Sequence, residues 1–533
     1  MAAASLSDLP NEILIDIIAF LTIPAILVIR QVSTRLHALS RVHTIWRSAC
    51  TQHVLARGFP FPSTHPLDAL SAAELERLTR RAFRLGEFWL SPPSSHSPGP
   101  KLAVTEFLAS SSMPVSDVRF VPAHPDWLIT VSRGAWPVLI CWDISQYSPS
   151  DPRTRPRKIA QWSPRGVVLT TIAVNSAAAD GSDGPTLAVT AMHRNTQAIH
   201  VLTVRSEDAR FAPVRTIKCR FRVIALQGDI LAISNDGNET HLINWRAEGM
   251  PRVVLRGNVE EPLGPSRHHR CLQVLLTPYC TLVARQCSLE AYAPTLPESS
   301  TQSGLDNPLL YPIARYPFNE LRAFAMSQGP QPPPPPIAHK AEVLPLSVVL
   351  RPDATEPRAL GVQSVMLYSF PVDQPTMLEP DPNASPDENA IPYVFSPLQY
   401  GTRKFPGGPL HYPHILLGPH GTALWIRPRP VWYPDLTQFD VHAFSAQGSE
   451  HNPFVGEKEA VVAEVCAGVL QSRNRADGDG DGGEAGEIPS RLRELWTLDD
   501  PSASWTAMDY DETRGLVALG DNYGKVVVLD LVP

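Results

Sequence analysis

Several ingredients are scarce in this chain of 533 residues, and each scarcity closes off a class of function. Cysteine is the first: seven residues, at positions 50, 141, 219, 271, 280, 287 and 466, odd in number and scattered. A disulfide framework uses paired cysteines in a short secreted chain, so these read as reduced, buried thiols of an intracellular protein, cytoplasmic or nuclear and not secreted. Concentrated positive charge is the second. Lys and Arg total 46 against 53 Asp and Glu, a formal charge of -7, and no long basic stripe breaks that balance. Nucleic-acid binding rests on cationic residues that neutralise phosphates, so no nucleic acid is expected among the partners. A long hydrophobic run is the third. Ile13 to Ile29 is mostly aliphatic, but Asp16 and Pro24 interrupt it, and Asp8 and Glu12 precede it where a signal peptide carries positive charge. The run is also short of the about 20 residues a membrane span needs, so no membrane is expected either.

Motifs that carry chemistry are missing too. No Walker A loop, GxGxxG or GxSxG elbow occurs. His411, His414 and His420 flank Pro413 and lie in a strand-like context, without the helical i, i+4 geometry of a zinc pair. Asp477, Asp479, Asp481 and Gly482 fit the first half of a calcium loop, yet the closing glutamate position holds Ile488, so the run reads as a linker. Cys271, Cys280 and Cys287 lack CxxC spacing and read as core thiols, and His268-His269 forms a solvated basic corner with Arg267 and Arg270. No catalytic constellation, metal or cofactor is expected.

Proline is abundant, with 55 residues, roughly twice the ~5% average share. That suits short strands joined by irregular loops better than long helices. The apolar fraction of 43% and charged fraction of 19% fit a globular chain of two or more domains.

The first fifty residues have a different texture. Pro10 suits the start of a helix, because its missing N–H is unbonded there anyway. Ile13, Leu14, Ile17, Ile18 and Leu21 then recur at helical period, with Glu12 in the first turn where the helix dipole favours an acid. Pro24 opens a second helix to about Val32, Ser33 caps a third over Thr34 to Leu39, and Trp46 anchors a further turn. A unit this small has more apolar surface than it can bury alone, so it is expected to pack on something else.

The pattern Leu6-x-x-Leu9-Pro10-x-Glu12-Ile13-Leu14, then Ile17, Ile18 and Leu21, then Ile29-Arg30-Gln31-Val32-Ser33-x-Arg35-Leu36 and a closing Trp46, resembles an F-box. The family often has Cys at Val32-Ser33 and an aromatic near Arg35-Leu36, and this chain has neither. The resemblance implies a Skp-type adaptor as partner, and through it a cullin–RING ligase. It places Leu6, Leu9, Pro10, Ile13, Leu14, Ile17, Leu21, Val32 and Trp46 in or beside that contact. A helical pair with an apolar stripe is also, on physical grounds, a helix-in-groove ligand.

A linker is expected over 51–100: a helix capped by Ser71, with Leu75, Leu78, Ala82 and Leu85 on one side, then a Ser/Pro-rich hinge from Ser91 to Pro100. Beyond it, apolar runs of strand length recur in threes, the first at Val115–Phe120, Trp127–Val131 and Val138–Asp143. Trios also begin at Val167, Phe221, Leu272, His414 and Trp505, with a weaker group between Leu344 and Phe370 and with Phe439–Phe444 closing the sixth. Trp142-Asp143 and the relic Leu529-Asp530 resemble the ends of WD repeats, which implies an all-β propeller over 101–533, expected with seven blades, a strand near Lys101–Leu108 completing the last. Residues 294–342, 371–410 and 471–490 read as disordered surface insertions.

Together these readings make a multidomain chain, a small all-α F-box module followed by the propeller. The function they imply is that of a substrate receptor of an SCF-type (Skp–cullin–F-box) ubiquitin ligase, non-catalytic, with a client protein held on the propeller. A non-degradative scaffold is the alternative, and a propeller enzyme or small-ligand binder stands behind both.

Overall fold

The computed structural model describes residues 9–62, 66–90, 102–110, 113–122, 124–134, 136–145, 155–176, 186–194, 196–235, 237–257, 269–294, 308–329, 345–352, 363–372, 392–405, 414–432, 459–469, 493–497 and 504–533. The helices follow their local signals. α1 (Asn11–Ala19) begins directly after Pro10 and buries Leu14 and Ile18, one turn apart. α2 (Ile23–Ile29) carries Pro24 in its first turn and buries Ile23 and Ile26. α3 (Thr34–Leu39) is capped by Ser33, whose Oγ accepts the Leu36 N–H at 3.2 Å. α4 (His43–Cys50) buries Ile45, Trp46, Ala49 and Cys50, then runs on as a π-helical turn, Thr51–Leu55. α5 (Ala72–Leu90) starts at Ser71, whose Oγ accepts the Glu74 N–H at 3.2 Å.

These helices share one core. Leu14, Ile18, Ile26, Ile45 and Trp46 pack with Phe59, Phe61, Leu75 and Ala82. Residues 51–90, expected as a linker, therefore complete the module: the cover that the first fifty residues lack comes from α5 and the segment leading to it. α5 then passes into a second core. Leu85, Phe88 and Trp89 pack against Leu424, Trp505, Val517 and Leu529 of the β domain. No described helix is long and apolar enough to cross a membrane.

The expected trios are present, and most gain an outer fourth strand. Arg157–Trp162, Arg210–Lys218, Arg252–Arg256, Ala314–Pro317 and Arg493–Thr497 each pair as the outermost member of an antiparallel unit. Two expected insertions hold strands: Leu309–Leu310, Ala314–Pro317 and Leu321–Gln328 lie inside 294–342, and Leu398–Phe405 lies inside 371–410. Leu321–Gln328 is the first strand of the fifth unit, which continues with Leu346–Pro352, Gln363–Phe370 and Leu398–Phe405. In the sixth, Thr422–Trp432 pairs with Glu459–Val469, whereas Phe439–Phe444, like the run 477–484, lies outside the described residues.

Among the described residues the strands group into seven such units. The first two are joined into one eight-stranded sheet by a single parallel pairing, Gln161 with Arg210, and the third carries Leu309–Leu310 as a parallel fifth strand. The first strands of the first six units pack side by side in turn, His414 before the sixth meets Thr506 of the seventh, and Val115–Val121 packs on Trp505–Asp511, so the series returns on itself. The last unit is closed from the N-terminal side: Ala103–Leu108 pairs antiparallel with Lys525–Asp530, from Ala103 opposite Asp530 to Leu108 opposite Lys525. That pairing leaves no open edge beside the C-terminal strand.

Candidate functional site

The resemblance put nine residues in one contact, and their burial separates them. Leu14 is 2% exposed and Trp46 fully buried, so both support the module from within. Leu9 and Leu21 are half-buried against the same core. Pro10, Ile13, Ile17 and Val32 face outward, with Ile13 at 46%, Ile17 at 39% and Val32 at 69% exposure. Leu6 lies outside the described residues. Two further apolar side chains join the outward set, Phe20 at 77% and Val28 at 65%. Phe20 was legible in principle, since it follows Ile13 and Ile17 at i+7 and i+3 on one helical face.

Two arginines hold this surface in shape. Arg35 at the start of α3 donates to the Leu9 carbonyl at 2.6 Å and to Asn11 Oδ1 at 2.8 and 3.0 Å. It brings the turn carrying Val32 to the end of the module where α1 begins. Arg30, at the end of α2, makes a bidentate pair with Glu76 of α5 at 2.7 and 2.9 Å and donates to Ser40 Oγ at 2.9 Å. Its guanidinium also lies 5.8 Å from the Trp46 ring centroid, and Trp46 Nε1 donates to the Ser40 carbonyl at 2.8 Å. Burial by itself raises the Glu76 carboxyl, but hydrogen bonds and charge from Arg30 and Arg80 outweigh it and hold the group below its ordinary value. At α1's other end, Ser48 Oγ donates to the Ala19 carbonyl at 3.1 Å, so α4 carries the helix whose outer face is apolar.

The surface is thus an apolar face on a helical frame held by its own core, hydrogen bonds and ion pairs. An outward face of this kind suits docking by a few aliphatic and aromatic anchors.

α5 ties this frame to the β domain by polar contacts as well. Arg81 donates to the Arg514 carbonyl at 2.8 Å and pairs with Asp530, of the relic Leu529-Asp530, at 2.7 Å. Beside this junction, Glu512 in the turn of the seventh unit accepts the backbone N–H groups of His420 at 2.6 Å and Thr422 at 2.9 Å. His414 Nε2 meets the Thr506 carbonyl at 2.9 Å, so both described histidines of the 411–420 stretch sit between the sixth and seventh units. In the first unit, Trp142 Nε1 donates to Thr130 Oγ1 at 2.9 Å. Cys271, Cys280 and Cys287 are buried. Among the described residues no cluster of His, Cys, Asp and Glu has the arrangement of a metal site.

Residues 6–52 match the F-box-like family model. No characterised protein matches the chain by sequence. Two similar solved structures are the β-propeller domain of Cps50 (Swd1) from Myceliophteria thermophila and the polycomb repressive complex 2 of Chaetomium thermophilum. The first shares 9% identity with a TM-score of 0.44, covering 81% of this chain and 99% of the other. The second shares 11% with a TM-score of 0.45, covering 81% and 98%. The family match at one end and the strand order at the other lead to one description: an F-box-like segment followed by a β-propeller-like all-β domain.

Proposed function

We propose that this protein is a substrate receptor of an SCF-type ubiquitin ligase. The helical module docks on a Skp-type adaptor, and through it on a cullin–RING scaffold, while the β domain holds a client protein. The observation that carries the reading is the outward row Ile13, Ile17 and Phe20 on a module whose own core is already complete. Apolar side chains left outside a satisfied core mark an interface more often than an accident of folding. The receptor then does no bond chemistry. It raises the effective concentration of client beside the transferring enzyme and fixes its orientation. Such a role is exercised in the cytoplasm or nucleus.

The test is co-expression with a Skp-type adaptor and co-purification of the pair. Ile13→Asp/Ile17→Asp introduces two charges into the apolar face without touching Leu14, Ile18 or Trp46. Adaptor recovery is expected to fall to background while thermal melting of the chain stays unchanged. A double variant that still co-purifies with the adaptor overturns the assignment. Client turnover that persists when the cullin is inactivated points instead to a non-degradative scaffold.

A further inference from the structure

In the first two units of the β domain the connections at one end are free of acids. First strands run in one direction, so one end gathers the starts of first and third strands and the ends of second and fourth. In the first unit this end is marked by Val115 paired with Ser132, Ser132 with Val138, and Leu139 with Trp162. In the second it is marked by Val168 paired with Met192, and Ala198 with Lys218. The two units touch there: Arg133 donates to the Thr170 carbonyl at 2.6 Å. The helical module docks at the opposite end, on the 512–515 turn and the C-terminal residues. The end in question therefore faces away from it.

In the first two units the connections at this end are 109–114, 133–137, 163–167, 194–195 and 219–221. They contain no Asp or Glu, and they contain Arg133, Arg165, Arg194 and Arg220, with exposed Lys218 at the adjoining strand end. Among the described residues, connections at the other end of the same units hold Glu207 and Asp208, with Arg155. In a chain of net charge -7 a set of five acid-free connections with four arginines stands apart from the average. Among the described residues, Arg165, Arg194, Lys218 and Arg220 have no acidic partner. Apolar side chains stand among them: Trp136 is 59%, Val168 48% and Met192 40% exposed.

We propose that this acid-free end of the first two units is the docking surface for an acidic peptide segment of a partner protein, a run of Asp and Glu carboxylates with an aliphatic or aromatic residue among them. Charge complementarity selects the acids and steers their approach. The exposed tryptophan, valine and methionine supply the apolar contacts that charge alone does not. The cations stand singly on separate loops. A phosphate is best held by guanidinium groups converging on one point, whereas spaced single cations fit spaced carboxylates along an extended chain. A nucleic acid would gain from the cations and little from the intervening aliphatic surface. In the receptor reading this surface is where the client docks, and the proposal rests on that reading for its biological role.

The probe is a fluorescein-labelled peptide, Glu-Asp-Leu-Glu-Asp-Phe-Glu-Asp, titrated with the full chain by fluorescence anisotropy. Saturable binding is expected, weakening with added salt, and none with a peptide bearing lysine in place of each acid. Arg165→Glu/Lys218→Glu/Arg220→Glu should weaken binding about tenfold, three exposed ion pairs of modest strength being lost together. Trp136→Ala alone should weaken it about fivefold, the scale of one partly buried aromatic anchor. Thermal melting checks that both variants fold. No saturable binding, or equal affinity of the charge-reversal variant, overturns the proposal. So does tighter binding of a labelled single-stranded oligonucleotide or of anionic vesicles, or equal binding once Leu and Phe of the probe become Ser. Ile13→Asp/Ile17→Asp should leave peptide affinity unchanged. Peptide binding without adaptor binding removes the ligase reading alone, and adaptor binding without peptide binding removes this proposal alone.

Discussion

Replacing Glu512 by glutamine should change how stability depends on pH. Glu512 is 3% exposed, and burial pushes its carboxyl up to about 7 against an ordinary 4.5, even though two backbone N–H groups donate to it. The folded chain therefore keeps a proton that the unfolded chain releases. Stability from this group is full below pH 4.5 and is lost as pH rises through 7. His420 beside it has the opposite sense. Burial holds its imidazole down at about 4 against an ordinary 6.5, so the stability it contributes is full above 6.5 and is lost as pH falls through 4. Each shift spans about 2.5 pH units, which at ~1.4 kcal/mol per unit is about 3 kcal/mol for the carboxyl. For the partly exposed imidazole, solvent screening brings the figure to about 2 kcal/mol. Between pH 4.5 and 6.5 the two slopes oppose each other, and in the parent protein this junction adds little net pH dependence. In Glu512→Gln only the His420 slope remains. The variant's unfolding stability, measured by urea titration across that interval, should itself rise by about 2 kcal/mol as pH increases, while the parent's stays nearly flat. A constant loss of about 1–3 kcal/mol at every pH is expected on top, because the amide cannot accept both N–H donors. Parallel pH curves for parent and variant would refute the reasoning.

Three further outcomes follow from the packing. Leu85→Ala removes a fully buried side chain of the α5 contact with the β domain and should cost about 3 kcal/mol, read as a lowered urea midpoint at unchanged slope. Arg30→Met leaves Glu76 with Arg80 as its remaining cation and takes the guanidinium from beside Trp46. It should cost about 2 kcal/mol and broaden the Trp46 indole N–H resonance, which stays sharp if Arg30 has no structural role. A chain lacking residues 1–110 loses the strand beside Lys525–Asp530 and the cover over Leu529. It should elute as aggregates in size-exclusion chromatography, and a monodisperse product would contradict the closure described here.

What was legible in the sequence was local. The Ser33 and Ser71 caps, the prolines at 10 and 24 and the Ile13–Ile17 spacing act over a few residues, and the helices begin where they say. Inner strands such as Thr281–Arg285 are buried throughout and stood out as apolar runs. Outer strands did not. Arg157–Trp162 and Arg210–Lys218 are covered on one side only, so half their residues are polar and no run forms. Leu321–Gln328 lies between proline-rich stretches, and composition around it overrode its own alternation. Arg30 stood within the recognised pattern but its role did not, because Glu76 is 46 residues away. The acid-free end was invisible for a related reason: no stretch of sequence is basic, and the cations share an end only because successive strands alternate in direction.

The pairing of Ala103–Leu108 with Lys525–Asp530 also sets a clock. About 420 residues separate the two strands, and at about 5–20 residues per second the ribosome needs roughly 20–80 s to bridge them. Throughout that time the helical module has what it needs to fold, while the outer side of α5 waits with Leu85, Phe88 and Trp89 uncovered. Stop codons between α5 and Lys525 would yield chains that carry the whole helical module and an unfinished ring.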